Sequence, residues 1–272
     1  MDSETESRIV AAANELYRQH QAREHFAILP PEICPRDLDE AYRVQAALQR
    51  LYEQAAGGRA VGGHKVALTS QAMQELCRAD QPAGASIFAD VVYDSGVTVR
   101  HADYVNLGVE SEMAFRLGAD LPDIGRAHDI DSVGPALSGC MAAIEIIEDR
   151  NADYTTFGPG VPLFCTIADL GWNRGCVLGA ETTDWRDLDL AGLHAVMEIN
   201  GKVVGEGHGR DALGHPLTSL AWIANHRISQ GAHLRAGEVV MTDSVVATRP
   251  LKPGDVMRTV FETLGEARIN VV

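Results

Sequence analysis

Leu107-Gly108-Val109-Glu110-Ser111-Glu112-Met113-Ala114-Phe115-Arg116-Leu117 is the stretch on which the reading of this chain turns. From Val109 onward its residues alternate, with Val109, Ser111, Met113 and Phe115 on one side of an extended strand and Glu110, Glu112 and Ala114 on the other. Two carboxylates then share a face at a Cα spacing of about 7 Å, close enough to converge on one cation. On a solvated face such a pair is ordinary, whereas buried it needs a counter-charge. Downstream, Cys140-Met141-Ala142-Ala143-Ile144-Glu145-Ile146-Ile147-Glu148 sets Glu145 inside an apolar run that reads as buried, which favours the cation reading.

Working outward, 272 residues fit one large domain, or one domain with a smaller N-terminal extension. The balance of 23 Lys+Arg against 38 Asp+Glu, a formal charge of -15, argues against a nucleic-acid or anionic-membrane surface and leaves small molecules as partners. Five cysteines, odd in number and widely spaced among apolar residues, make a disulfide framework or a zinc site a poor reading. The first ten residues hold three acids and no apolar h-region, and no apolar run approaches the roughly 18 residues of a membrane span. The expected location is a reducing cytoplasm.

Residues 3–25 read as an amphipathic helix with Ile9, Ala12, Ala13, Leu16 and Tyr17 on one face, stopped by Pro30-Pro31. A second helix starts near Asp37 and ends at Gly57-Gly58. Residues 60–70 read as a glycine-led strand holding Lys65 between apolar neighbours, a lysine that either snorkels to water or is drawn inward by an anion. A short helix over 70–77, a turn over 78–82 and a strand beginning at Ser86 follow, and Asp80 reads by itself as a turn aspartate. Residues 118–132 form a polar surface loop whose length suits a lid or rim. Strands are expected over 141–147, 161–168, 177–179, 195–199, 202–207, 238–241 and 257–264, with Asn200-Gly201 as a type I′ hairpin turn and a helix over 216–226. The fold class is α+β: an N-terminal helical region with the first strand (1–80), followed by a β-rich domain (81–272) built on a rolled or sandwiched mixed sheet.

In chain order, Gly63-His64-Lys65-Val66-Ala67-Leu68-Thr69, Asp80-Gln81-Pro82, Val109-Glu110-Ser111-Glu112-Met113-Ala114-Phe115, Ala143-Ile144-Glu145-Ile146-Ile147-Glu148-Asp149-Arg150, Leu213-Gly214-His215-Pro216 with Ala221-Trp222, Ala236-Gly237-Glu238 and Pro253-Gly254-Asp255 can be set side by side. The set resembles the 2-keto-4-pentenoate hydratase and 4-oxalocrotonate decarboxylase branch of the fumarylacetoacetate hydrolase superfamily, from about Asp37 to the C-terminus. The resemblance implies Mg²⁺ or Mn²⁺ held by Glu110, Glu112 and Glu145, with Glu148 the rival for the third place. It implies catalytic roles for Lys65, which holds or transfers the enol proton, and for Asp80 as acid/base in tautomerisation or water addition. Leu68, Asp169, Arg174, Thr242 and Ser244 become candidate substrate-binding residues. The implied substrate is a 2-hydroxydienoate or its 2-oxo tautomer, and the implied reaction is hydration in aromatic meta-cleavage catabolism. Alternatives are decarboxylation of a 2-oxo-enedioate and a non-catalytic partner subunit of such an enzyme. A homo-oligomer is implied, with a complex with a sister pathway enzyme as a further option.

The sequence also departs from that pattern. Relatives commonly show Ala-Asp-Asn-x-Ser, where this chain has Ala168-Asp169-Leu170-Gly171-Trp172-Asn173-Arg174, and Ser/Thr-Gly-Ser, where it has Thr242-Asp243-Ser244. Asp243 is placed to repel a dicarboxylate tail, and Arg174 or Arg249 to attract one. His64 and His128 fit surface or supporting roles better than the histidine of the superfamily's carbon–carbon hydrolases, and His215 reads as a helix cap.

Overall fold

The computed structural model describes residues 3–77, 79–153 and 161–272. Arg78, first residue of the expected 78–82 turn, lies outside them. Helix α1 (Ser3–Ala22) and helix α2 (Leu38–Gln54) pack Ile9, Ala12, Ala13 and Leu16 against Val44, Ala47 and Leu48, the apolar spacing read from sequence. Asp37 caps α2 by accepting the Glu40 N–H at 2.9 Å. Strand β1 (Val61–Ala67), helix α3 (Gln71–Cys77) and strands β2 (Ala83–Phe88), β3 (Val92–Asp94) and β4 (Val97–Val99) follow. Next come β5 (Gly108–Leu117), a one-turn helix α4 (Ile130–Val133), β6 (Leu137–Ile147), α5 (Val161–Ala168), β7 (Asn173–Leu178), β8 (His194–Ile199) and β9 (Lys202–His208). Helix α6 (Pro216–Ser229) and strands β10 (Val239–Pro250), β11 (Val256–Phe261) and β12 (Gly265–Val271) complete the chain.

The strands form two mixed sheets, one of seven in the order β2-β1-β10-β5-β6-β7-β3 and one of five in the order β4-β12-β11-β8-β9. This is the α+β arrangement expected. Strand β5 lies at the centre of the larger sheet, antiparallel to both β10 and β6. Its Val109, Met113 and Phe115 enter the main core with Met197, Met257, Phe261 and Ile269 of the smaller sheet, while Ala114 packs on the opposite face with Met141, Ala143 and Met241. The alternation of β5 therefore leaves Glu110 and Glu112 on the second face, away from the inter-sheet core.

Asn200 and Gly201 both have positive φ, 53° and 73°, in the hairpin joining β8 to β9, as the type I′ reading requires. The loop over 118–132 is strapped to α6, since the His128 N–H donates to Asn225 Oδ1 at 2.7 Å and the Asn225 amide returns a bond to the His128 carbonyl at 2.9 Å. One expectation was wrong: 161–168 is helix α5, not a strand. Eight apolar residues do not separate a buried strand from a buried helix. Cys165 and Ala168 pack in the same cluster as Leu48 of α2.

Candidate active site and metal centre

Register brings the acids together. Glu110 of β5 lies directly opposite Glu145 of β6, and Glu112, two residues along, lies opposite Ala143. Each of Glu110, Glu112 and Glu145 offers a carboxylate oxygen within 4.8 Å of the others. Glu112 and Glu145 are fully buried, and Glu110 is half-buried at the edge of the group. Glu148 is directed elsewhere: its oxygens accept the Val105 N–H at 2.5 Å and Arg174 Nε at 2.6 Å, and it is Glu145 that gathers with Glu110 and Glu112.

Lys65 is drawn inward. Its Nζ stands 3.0 Å from Glu145 Oε1 with the side chain only 4% exposed, which rules out snorkelling. Burial works against its charge, but Glu145, Glu110 and Glu112 outweigh this and raise its pKa above the ordinary lysine value, so it remains an ammonium. His64, the preceding residue of β1, is buried beside Glu238 (Nε2–Oε2 3.4 Å) and is not a surface histidine. Gly171 closes over Lys65 with φ 57°, and a Cβ there would lie 2.9 Å from Lys65 Cε.

Further groups fix the triad. Asn173 Nδ2 donates to Glu145 Oε1 at 2.7 Å, Thr248 Oγ1 donates to Glu110, and the Asp243 N–H donates to Glu112 Oε2 at 3.0 Å. The sequence carried no signal for Asn173 or Thr248. Even so, Glu112 Oε1 and Glu145 Oε2 are buried without a hydrogen-bond donor among the described residues. Burial, then the charges of Glu145 and Asp243, push the Glu110 pKa up to about 8, and burial with Glu145 raises that of Glu112 well above the usual range. Three converging carboxylates with two orphaned lone-pair sites are the donor set a hard divalent cation takes, so the residues present fit Mg²⁺ or Mn²⁺.

The remaining candidates separate. Leu68, in a left-handed conformation (φ 59°), ends β1 beside Thr69, whose N–H and Oγ1 donate to Asp243 Oδ2 at 2.8 and 2.7 Å. Asp80 is exposed in the bend after α3, three residues before β2, which pairs with this end of β1 through Ala83 and Ala67. Thr242 is buried and donates to the Met113 carbonyl at 2.9 Å, and Ser244, opposite Glu112, donates to the Val246 carbonyl. Asp169 is buried between His20 and Arg150, and Arg174 lines a separate cavity of about 280 Å³ with His20, Tyr52 and Tyr104. Arg249 donates to the Val204 carbonyl at 2.8 Å. His215 caps α6 by accepting the Leu217 N–H at 3.1 Å, and His128 anchors its loop.

Two mixed sheets that gather a Glu-x-Glu pair, a third glutamate and a buried lysine make a site suited to a divalent-metal enzyme. The profile described as Fumarylacetoacetate (FAA) hydrolase C-terminal matches residues 56–272, and the chain belongs to that family. It is 31% identical over 264 residues to a 2-keto-4-pentenoate hydratase of Paraburkholderia phymatum, covering 97% of each chain. It is 29% identical over 266 residues to a 2-oxo-hept-4-ene-1,7-dioate hydratase of Escherichia coli, again over 97% of each. Among solved structures, a 4-oxalocrotonate decarboxylase from Pseudomonas putida G7, complexed with magnesium and adipate, superposes over 100% of both chains with a TM-score of 0.88 at 26% identity. No helix among the described residues is long and apolar enough to cross a membrane.

Proposed function

We propose that the protein is a Mg²⁺- or Mn²⁺-dependent hydro-lyase that adds water at C4 of a 2-hydroxy-2,4-dienoate to give a 4-hydroxy-2-oxo acid, a step of aromatic meta-cleavage catabolism. The observation that carries this reading is the Glu110–Glu112–Glu145 cluster with Lys65 Nζ 3.0 Å from Glu145. The hydratase names of relatives matched over almost the whole chain support it. A divalent cation held by the triad supplies positive charge that favours enolate character in the bound substrate.

The chain's own groups handle protons and alignment. Lys65, kept as an ammonium by the acids around it, donates at the substrate's C2 oxygen and stabilises negative charge as the dienol becomes its 2-oxo tautomer. Asn173 and Thr248 hold Glu145 and Glu110 in ligating orientation, as supporting partners do in metal sites generally. Asp80, at the β1 end that carries Leu68 and Thr69, is assigned the acid/base role in tautomerisation or water addition, taking up the 2-hydroxyl proton and returning a proton to carbon, and Leu68 and Ser244 are assigned to the substrate's surroundings. The working form is proposed to be a homo-oligomer, whose subunit number light scattering reads directly.

The test is incubation with Mg²⁺ and 2-hydroxypentadienoate or 2-oxo-hexenedioate, following dienol absorbance and CO₂ release. Dienol loss without CO₂ supports the hydratase. Release of CO₂ from the enedioate supports the decarboxylase, the second reading, which the full-length superposition on such an enzyme favours. Turnover of neither by the metal-loaded protein points to a non-catalytic partner subunit. Lys65→Ala and Asp80→Asn each lower kcat by about 10²-fold or more with metal still bound, and full turnover in either variant removes that residue from the mechanism.

A further inference from the structure

Cys34 and Cys165 lie 131 residues apart in sequence, yet their Sγ atoms meet at 3.5 Å, and both thiols are free. Cys34 ends a turn in which its N–H and that of Ile33 both donate to the Pro30 carbonyl at 2.9 Å, and Pro35 follows it. Cys165 meets it from α5, in the buried cluster that also holds Leu29, Val44, Leu48 and Ala168. The other three cysteines are scattered: Cys140 lies in the inter-sheet core, Cys176 on the opposite face of the larger sheet, and Cys77 at the end of α3. Metal binding does not explain the pair, because the metal-ligand grouping among the described residues is the glutamate triad, which contains neither thiol.

Two thiols this close have a reaction open to them that a solitary thiol lacks. Cys34 is 6% exposed and Cys165 fully buried, so an oxidant arriving from water meets Cys34 first. The hydrogen bond from Cys165 lowers the Cys34 pKa against the burial that would raise it, which favours the reactive thiolate. The Cys34 sulfur attacks one oxygen of hydrogen peroxide, the O–O bond breaks, and the departing hydroxide takes up a proton as water, leaving a sulfenic acid. The Cys165 sulfur then attacks the Cys34 sulfur, the S–O bond breaks, and the second hydroxide leaves as water with the Cys165 proton. Two thiols are oxidised to one disulfide while one peroxide is reduced to two waters. The sulfurs have only to close from 3.5 Å to the roughly 2 Å of an S–S bond, and the Cys34 turn, whose Pro31 and Glu32 are exposed, can move while α5 stays packed.

We infer that Cys34 and Cys165 form a site of oxidative modification, at which a hydroperoxide installs a reversible disulfide that staples the N-terminal helical layer to α5. Neither the metal nor the substrate enters this inference. The bond ties together positions 131 residues apart in the unfolded chain, so the oxidised form is the more stable one. The test treats the reduced full-length protein with hydrogen peroxide, blocks remaining thiols with iodoacetamide, and maps peptides without reduction. A Cys34–Cys165 linked peptide is expected, with a melting temperature about 5 °C or more above that of the reduced protein and reversal of both by dithiothreitol. C34A and C165A should each abolish the link and the shift, and C77A should keep both. Oxidation confined to Cys77, stepwise oxidation of Cys34 without a link to Cys165, or a link that leaves the melting temperature unchanged overturns the inference. These wild-type measurements decide it even if an alanine variant folds poorly.

Discussion

Two clusters of buried charge sit at opposite ends of the segment over 169–173, and their carboxylates differ in one respect. At one end Asp169 presents one oxygen to His20 and the other to Arg150 at 2.5 Å, and the nearby Glu148 divides its oxygens between Val105 and Arg174. Glu40 does the same with Arg8 and the Arg36 N–H. Each oxygen of these three carboxylates has a donor. Burial alone would raise the Asp169 pKa, but the charges of His20, Arg150 and Arg174 hold it below the ordinary aspartate value. At the other end the acids of β5 and β6 face one another, two oxygens lack donors, and the pKa values of Glu110 and Glu112 are driven up. The same residue types make a brace where their lone pairs are filled and a binding site where they are left over.

The sharpest way to break this contrast is to remove one leftover acid. Glu145→Gln is expected to lower metal-dependent turnover by about 10³-fold or more, since several kcal/mol of charge stabilisation depend on the cation, with dienol absorbance as the readout. Arg150→Met, on the brace side, should leave Mn²⁺ affinity unchanged but destabilise the fold by about 3–5 kcal/mol, because it strands Asp169 as a buried charge. Denaturant unfolding measures that loss, and a fall in metal affinity with no loss of stability would erase the distinction between the clusters.

Acidity provides a third comparison. The Glu110 carboxyl titrates near pH 8 without metal, above its unfolded value, so the metal-free fold binds a proton that the unfolded chain releases. This group's contribution to stability is therefore present at pH 4.5 and lost as pH rises toward about 8. Metal competes with the same proton, and with that of Glu112, so affinity should climb by about tenfold per pH unit for each proton displaced as pH rises toward about 8. Melting curves with and without Mg²⁺ across this range should diverge as pH rises, and curves that stay parallel would contradict the assignment. Last and smallest, Asn173→Ala releases the Glu145 carboxylate from its 2.7 Å tether and is expected to cost about tenfold in metal affinity in a calorimetric titration.

How far the sequence reached follows from which features depend on local pattern. Period-two alternation placed Glu110 and Glu112 on one face, an apolar run flagged Glu145, and Asn200-Gly201 fixed a hairpin, because each signal lies within a few residues. Helix α5 was misread because an eight-residue apolar window carries no period. The groups that complete the site were hidden for another reason. Strand β10 shifts register three times between Met241 and Arg249, and these irregularities bring the Asp243 N–H and Thr248 Oγ1 onto the glutamates. Asn173 reaches Glu145 only because β7 pairs with β6 through a further register shift at Ile146–Ile147. Irregular pairing belongs to the assembled sheet, and no single strand's sequence announces it.

Electron paramagnetic resonance of Mn²⁺ titrated into the wild-type protein and into Glu145→Gln tests the triad most directly. One tightly bound ion per chain in the wild type, with the free-aqua signal retained in a folded Glu145→Gln variant, is the predicted result. A wild type that leaves all Mn²⁺ in solution, or a variant that binds it as tightly, would contradict the assignment of Glu110, Glu112 and Glu145 as a metal centre.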